Sequence, residues 1–265
     1  MSQTSKTEFF NPQGVIGALT DWEIQQGANP NLTRQRAKSL KQNGDQLNAV
    51  QYGAQIAYSE NFTAKKVATN PASGQSGHDA TLSVGANLDV PHPGAIKNGA
   101  HVDSIQVAYT QTGFPTLAVA SHKHAAIDGT PAAHDPCRVY KPTVVLPARP
   151  IGVPSTLVDT DGNTIFTCPD GVGMRSLTYA LQPTHTDEPN GDGGHLAGQN
   201  NDGVETLTLE FTGKVAIADL EIDAEGMLPD ADADTQGNTQ ATTKSVTITR
   251  HIPYDTSETP EGAEH

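Results

Sequence analysis

The chain has 265 residues, enough to bury a sizeable core, and its 16 basic against 30 acidic residues give a formal charge of −14. A surface that acidic repels a phosphate backbone and argues against high-affinity nucleic-acid binding. Cys137 and Cys168 are the only cysteines, too few for a disulfide framework, so two reduced, partly buried thiols are expected.

In chain order, the opening "MSQTSKTEFFNPQG" lacks the apolar run of a secretory signal, and no run approaches the roughly 20 residues that span a bilayer. "NLTRQRAKSLKQNG" reads two ways. It is a helix with Asn31 or Thr33 as cap and Gly44 as stop, or a strand in which Arg34, Arg36 and Lys38 alternate. Arg34, Arg36, Lys38 and Lys41 are 4 of the 16 Lys and Arg in the whole chain. They form either a solvated face or a strip that docks onto an acidic surface of another copy. "LNAVQYGAQIAYSENF" is the next strand candidate, and residues 68–80 read as a polar loop.

The clearest period of two lies in "HVDSIQVAYTQTGFPTLAVASHKH". Ile105, Val107 and Tyr109 share one face, Gln111-Thr112-Gly113 supplies a turn, and Leu117 and Val119 resume the apolar face. That is a hairpin pattern. It runs into "SHKHAAIDGTPAAHDPC", which holds His122, His124, His134, Asp128, Asp135 and Cys137. His122 and His124 share the parity opposite to Leu117 and Val119. On one strand face they make half of a metal site that His134 or Asp128 would complete. The alternative is a strand end whose histidines touch solvent or a neighbouring subunit. With no third ligand at recognisable spacing, no metal ligand is expected.

"CRVYKPTVVLPA" is a strand candidate, and "PARPIGVP" near residue 150 reads as a possible junction between two β units. "DTDGNTIF" reads as a hairpin turn. Residues 183–203 carry almost no apolar content and read as a long loop, ordered only by a partner. "VETLTLEFTGKVAIADLEI" alternates at Leu207, Leu209 and Phe211, then shifts phase to Leu220 and Ile222, which suggests a bulge or corner. "DADADTQGNTQ" opens like a calcium loop, but Thr235 and Ala241 stand where glycine and glutamate are needed, so a solvated acidic loop is expected. "KSVTITRHIPY" alternates Val246, Ile248, Arg250 and Ile252, and residues 255–265 form an acidic tail expected to be disordered.

No GxSxG, Walker loop, HExxH or CxxC is present. No catalytic residue and no cofactor is therefore expected. The fold expected is mainly β: an antiparallel sandwich or barrel over residues 1–254, with long loops and at most one or two short helices.

The segments "RQRAKSLKQNGDQLNAVQYGAQIAYSENF", "DGVETLTLEFTGKVAIADLEIDAEG" and "IQVAYTQTGFPTLAVASHKH" together give a chain that resembles the tail-tube (major tail) proteins of tailed bacteriophages. The resemblance implies a β-sandwich with a flanking helix and a long loop. It implies hexameric rings, made in the host cytoplasm, that stack into a virion tail tube. The partners implied are copies of the chain, other tail proteins, and DNA as transient cargo in a negative lumen. Arg34, Arg36, Lys38 and Lys41 are the candidate subunit contacts. A capsid decoration or baseplate protein is the neighbouring reading. A metal-dependent, cupin-like β-barrel enzyme using His122, His124 and His134 is the reading of another class.

Overall fold

The alternating apolar segments become antiparallel strands that are paired far along the chain. The computed structural model describes residues 22–24, 29–64, 87–88, 100–125, 138–146, 151–189, 195–213, 215, 220–222, 228–235 and 242–253. Among these the protein is all strand, without a helix. The flanking helix that the resemblance implies is not among them.

The first strands are β1 (Trp22–Ile24), β2 (Asn29–Leu40), β3 (Gln46–Ala64) and β4 (Asn87–Leu88). Next come β5 (Ala100–Thr110), β6 (Thr116–Ala125), β7 (Val144–Val145), β8 (Thr156–Asp159) and β9 (Thr164–Thr167). They are followed by β10 (Gly173–Leu181), β11 (Thr184–Pro189), β12 (His195–Asn201) and β13 (Gly203–Thr212). The last are β14 (Glu221–Ile222), β15 (Leu228–Thr235) and β16 (Thr243–Ile252).

A ten-stranded sheet runs in the order β1-β3-β6-β5-β10-β13-β16-β15, with β2 on β3 and β4 on β5. Strands from both sides of residue 150 lie in it, through the β5–β10 pairing. A four-stranded sheet, β14-β9-β8-β7, forms the second layer, and β11 and β12 pair with each other. Arg34 to Lys38 are thus strand residues, the second of the two readings of that segment.

The period of two sorts the faces. Ile105, Val107 and Tyr109 of β5, and Leu207, Leu209 and Phe211 of β13, enter one core with Leu157 of β8 and Phe166 of β9. The rings of Phe166 and Phe211 meet across the layers with centroids 6.2 Å apart. Each such side chain contributes about 1.5–3 kcal/mol when fully buried, so this seam holds the sandwich together. The phase shift after β13 is a corner. Val215 and Leu220 are buried in the core, and β14 then pairs with β9 of the other layer.

A polar tie also crosses the layers. The Thr143 amide donates to Glu205 Oε1 at 2.6 Å, and its hydroxyl to Oε2 at 2.5 Å. Tyr179 donates to Oε1 at 2.7 Å. Glu205 is fully buried, and these donors together with the Arg250 guanidinium, 2.9 Å from Oε2, make a carboxylate tolerable there.

Candidate functional site

Two features stand apart from the packed sandwich: a cluster of histidines at one sheet position and a ribbon that runs beyond the sheet.

The cluster begins with strand alternation. His122 and His124 sit two apart on β6, and His185 and Asp187 sit two apart on β11, so each pair shares a strand face. On β5, His101 pairs directly with His122, and a register shift between Val102 and Ser104 puts Asp103 in a bulge. His122 and His124 are buried, only 4% and 6% exposed. The expectation that they meet solvent or a neighbouring subunit is therefore corrected. Strand β11 carries His185 and Asp187 against them, in a segment that reads from sequence as a loop. Residues 184–189 and 195–201 form an antiparallel hairpin instead, with Thr184 opposite Asn201 and Asp187 opposite Gly198.

Hydrogen bonds order the rings. Asp103 Oδ1 accepts from His101 Nδ1 at 3.1 Å and from His122 Nδ1 at 2.6 Å. Asn200 donates through Nδ2 to the Arg138 carbonyl at 3.1 Å, which fixes the amide's orientation. The same Nδ2 lies 3.2 Å from His101 Nε2, which therefore accepts. Asn200 Oδ1 faces His185 Nδ1 at 2.8 Å, so that nitrogen donates. Asp187 Oδ1 lies 3.0 Å from His124 Nε2 and 2.9 Å from His185 Nε2.

The rings are crowded. Centroids are 4.7 Å apart for His122 and His185, 4.8 Å for His101 and His185, 5.0 Å for His101 and His122, and 5.3 Å for His122 and His124. Burial works to raise both carboxyls. Hydrogen bonds from His101 and His122 outweigh it at Asp103, and those from His124 and His185 hold Asp187 well below the usual carboxylate range. Both carboxylates are thus ionised at neutral pH.

Ligand atoms of His122, His124, His185 and Asp187 all lie within 4.8 Å of one another, as do those of His101, Asp103 and His122. His134, Asp128, Asp135 and Cys137 lie outside the described residues. Cys168 is half-buried, and burial raises its thiol. The residues that sequence reading missed are His101, Asp103, His185, Asp187 and Asn200. Their available signal was a second i, i+2 pair in "THTD", inside the segment taken for a loop.

The ribbon is the hairpin β2–β3. Strand β3 pairs with β6 only from Ala54 to Thr63, whereas its pairing with β2 continues to Gln46. Residues 46–53 and 35–40 therefore form a two-stranded arm of about 25 Å. At its tip the Gly44 amide donates to the Lys41 carbonyl at 2.9 Å, and Gly44 takes φ +88°, a conformation that favours glycine. Arg36 and Lys38 are exposed along this arm, Lys41 at its tip and Arg34 just before it, at the edge of the sheet. Leu40, Leu47, Val50 and Tyr52 are exposed there too, Leu47 at 63%. Among the described residues β15 is the outer strand at the other end of the sheet, and its sequence includes Asp230, Asp232 and Asp234. Residues 230–235 of the segment that reads as a solvated acidic loop are thus part of a paired strand, Leu228–Thr235, and residues 236–240 lie outside the described residues.

No protein-family model and no curated protein matches the chain. No helix among the described residues is long and apolar enough to cross a membrane.

Proposed function

We propose that the chain is a structural subunit that assembles with copies of itself, the basic β2 edge of one copy joining the acidic β15 edge of the next. The observation that carries this reading is the contrast between the two outer strands of one open sheet. Arg34, Arg36 and Lys38 lie in the sequence of one, and Asp230, Asp232 and Asp234 in that of the other. Unpaired strand edges are templates for a further strand, and opposite charge selects which edges meet.

The arm supports the same reading. A two-stranded ribbon is marginal in water by itself, and this one exposes Leu40, Leu47, Val50 and Tyr52. Covering them on a neighbouring copy supplies on the order of a few kcal/mol. A heterologous contact repeated around an axis closes into a ring. Stacked rings forming a phage tail tube, a conduit for DNA in the virion, are the assembly of this kind that the sequence resembles.

Negative-stain electron microscopy and sedimentation test it. Wild type is expected to form rings or tubes. Arg34, Arg36 and Lys38 all changed to Glu should leave the circular dichroism spectrum intact and abolish assembly, as should Asp230, Asp232 and Asp234 all changed to Lys. Combining both sets restores opposite charge and should restore assembly. A wild type that stays monomeric, or single-edge variants that assemble normally, would sink the proposal.

A further inference from the structure

We propose that His122, His124, His185 and Asp187 bind one divalent transition-metal ion of the zinc class, and that this ion fastens the β11–β12 hairpin to β6. This does not rest on the assembly reading above.

The first support is geometric. A tetrahedral ion with bonds of about 2.0–2.1 Å needs ligand atoms about 3.4 Å apart. The four ligand atoms here are already within 4.8 Å of one another. Two edges, His124 Nε2 to Asp187 Oδ1 and His185 Nε2 to Asp187 Oδ1, measure 3.0 and 2.9 Å. Asp187 is the partly exposed member, with 34% of its side chain accessible, and has room to open them. The 2.6 Å contact of Asp103 with His122 is a hydrogen bond and too short for such an edge. That makes Asp103 a positioning residue and selects the group containing Asp187.

The second support is the protonation pattern imposed from outside the four. Asp103 Oδ1 accepts a hydrogen bond from His122 Nδ1, and Asn200 Oδ1 accepts one from His185 Nδ1. Carboxylates and amide oxygens in these places are the usual orienters of metal-binding imidazoles. His185 Nε2 and the Asp187 carboxylate converge at 2.9 Å, a contact that a ring proton closes and that a bound cation can occupy in its place. Three imidazoles and one carboxylate suit zinc, cobalt or nickel, and oxygen-seeking magnesium or calcium poorly. Four protein ligands from two strands leave no open position, the pattern of a structural site.

Chelator-treated full-length protein titrated with Co²⁺ tests this directly. The expected result is one ion per chain, with the intense visible absorption of a tetrahedral site, displaced by Zn²⁺. Zinc should also raise the melting temperature. His185→Ala/Asp187→Ala should lose binding, and His251→Ala, on an exposed histidine, should keep it. Asp103→Asn should weaken binding about 10–100-fold while leaving stoichiometry at one. Absence of a stoichiometric ion on the wild type, only the weak absorption of six-coordinate cobalt, or full binding by the double variant would each overturn the proposal. Should the double variant fail to fold, the wild-type titration alone decides.

Discussion

Glu205 on β13 and Arg250 on β16 stand directly opposite one another, and the guanidinium donates through Nε at 3.2 Å and Nη2 at 2.9 Å to the single oxygen Oε2. Arg250 Nη2 also donates to the Thr143 hydroxyl. One buried ion pair thereby joins two strands of the large sheet to the segment leading into β7.

Removing one partner should be costly, because the other charge is left in a dry place. Glu205→Ala or Arg250→Ala is expected to lower unfolding free energy by about 3–5 kcal/mol. The double variant should lose clearly less than the sum. Urea unfolding of the three variants checks this, and single losses under about 1 kcal/mol would contradict it.

Tyr179 makes stability pH-dependent on the alkaline side. Burial first, and then the adjacent Glu205 carboxylate, push its phenol well above the ordinary value of 10.0. Above pH about 10 the unfolded chain releases that proton and the folded chain keeps it. The unfolded state then binds fewer protons, so stability, fully present below about pH 10, falls as pH rises towards the folded value. Urea midpoints between about pH 8 and about pH 11 should fall more steeply for wild type than for Tyr179→Phe. Parallel profiles would show that Tyr179 is not the group responsible.

Gly203 is required by a close approach. A Cβ there would lie 2.2 Å from Tyr140 Cδ1 and 2.4 Å from Cε1. The ring is buried, so either it or the β13 backbone must shift within packed surroundings. Gly203→Ala should cost about 1–3 kcal/mol through overpacking. In a Tyr140→Ala background the same change should cost markedly less, measured by thermal or urea unfolding. An equal cost in both backgrounds would assign the glycine another role.

The arm should behave as a surface that packing within the monomer does not use. Leu40, Leu47 and Val50 changed together to Ser are expected to shift monomer stability by no more than about 0.5 kcal/mol each. Assembly, read by sedimentation velocity, should weaken at least tenfold. A large loss of monomer stability with unchanged assembly would reverse this assignment.

Where burial is apolar, the sequence announces it. Ile105, Val107 and Tyr109, then Leu117 and Val119, alternate as the hairpin requires, and all are buried. The corner after Phe211 shows as a change of phase. The same logic hides β11, whose inward side chains are His185 and Asp187 rather than valine or leucine. A strand held by polar contacts has the composition of a loop. It hides β15 too, because an outer strand needs only backbone pairing on one side. Arg250 keeps the rhythm of "KSVTITRHIPY", but only the fold reveals that Glu205 stands opposite. The histidine cluster was half legible: one pair lies beside a recognisable hairpin, and the other is 63 residues further on for the His124–Asp187 contact.

A sheet with one basic and one acidic border has a direction. Twofold pairing through either border sets like charges face to face, which opposes closed, mirror-like pairs. If copies join edge to edge as proposed, growth from one copy to the next follows a single sense, and every array short of a closed ring has two unlike ends. The ends can be addressed separately: a protein offering only an acidic border stops growth at one, and a protein offering only a basic border starts it at the other.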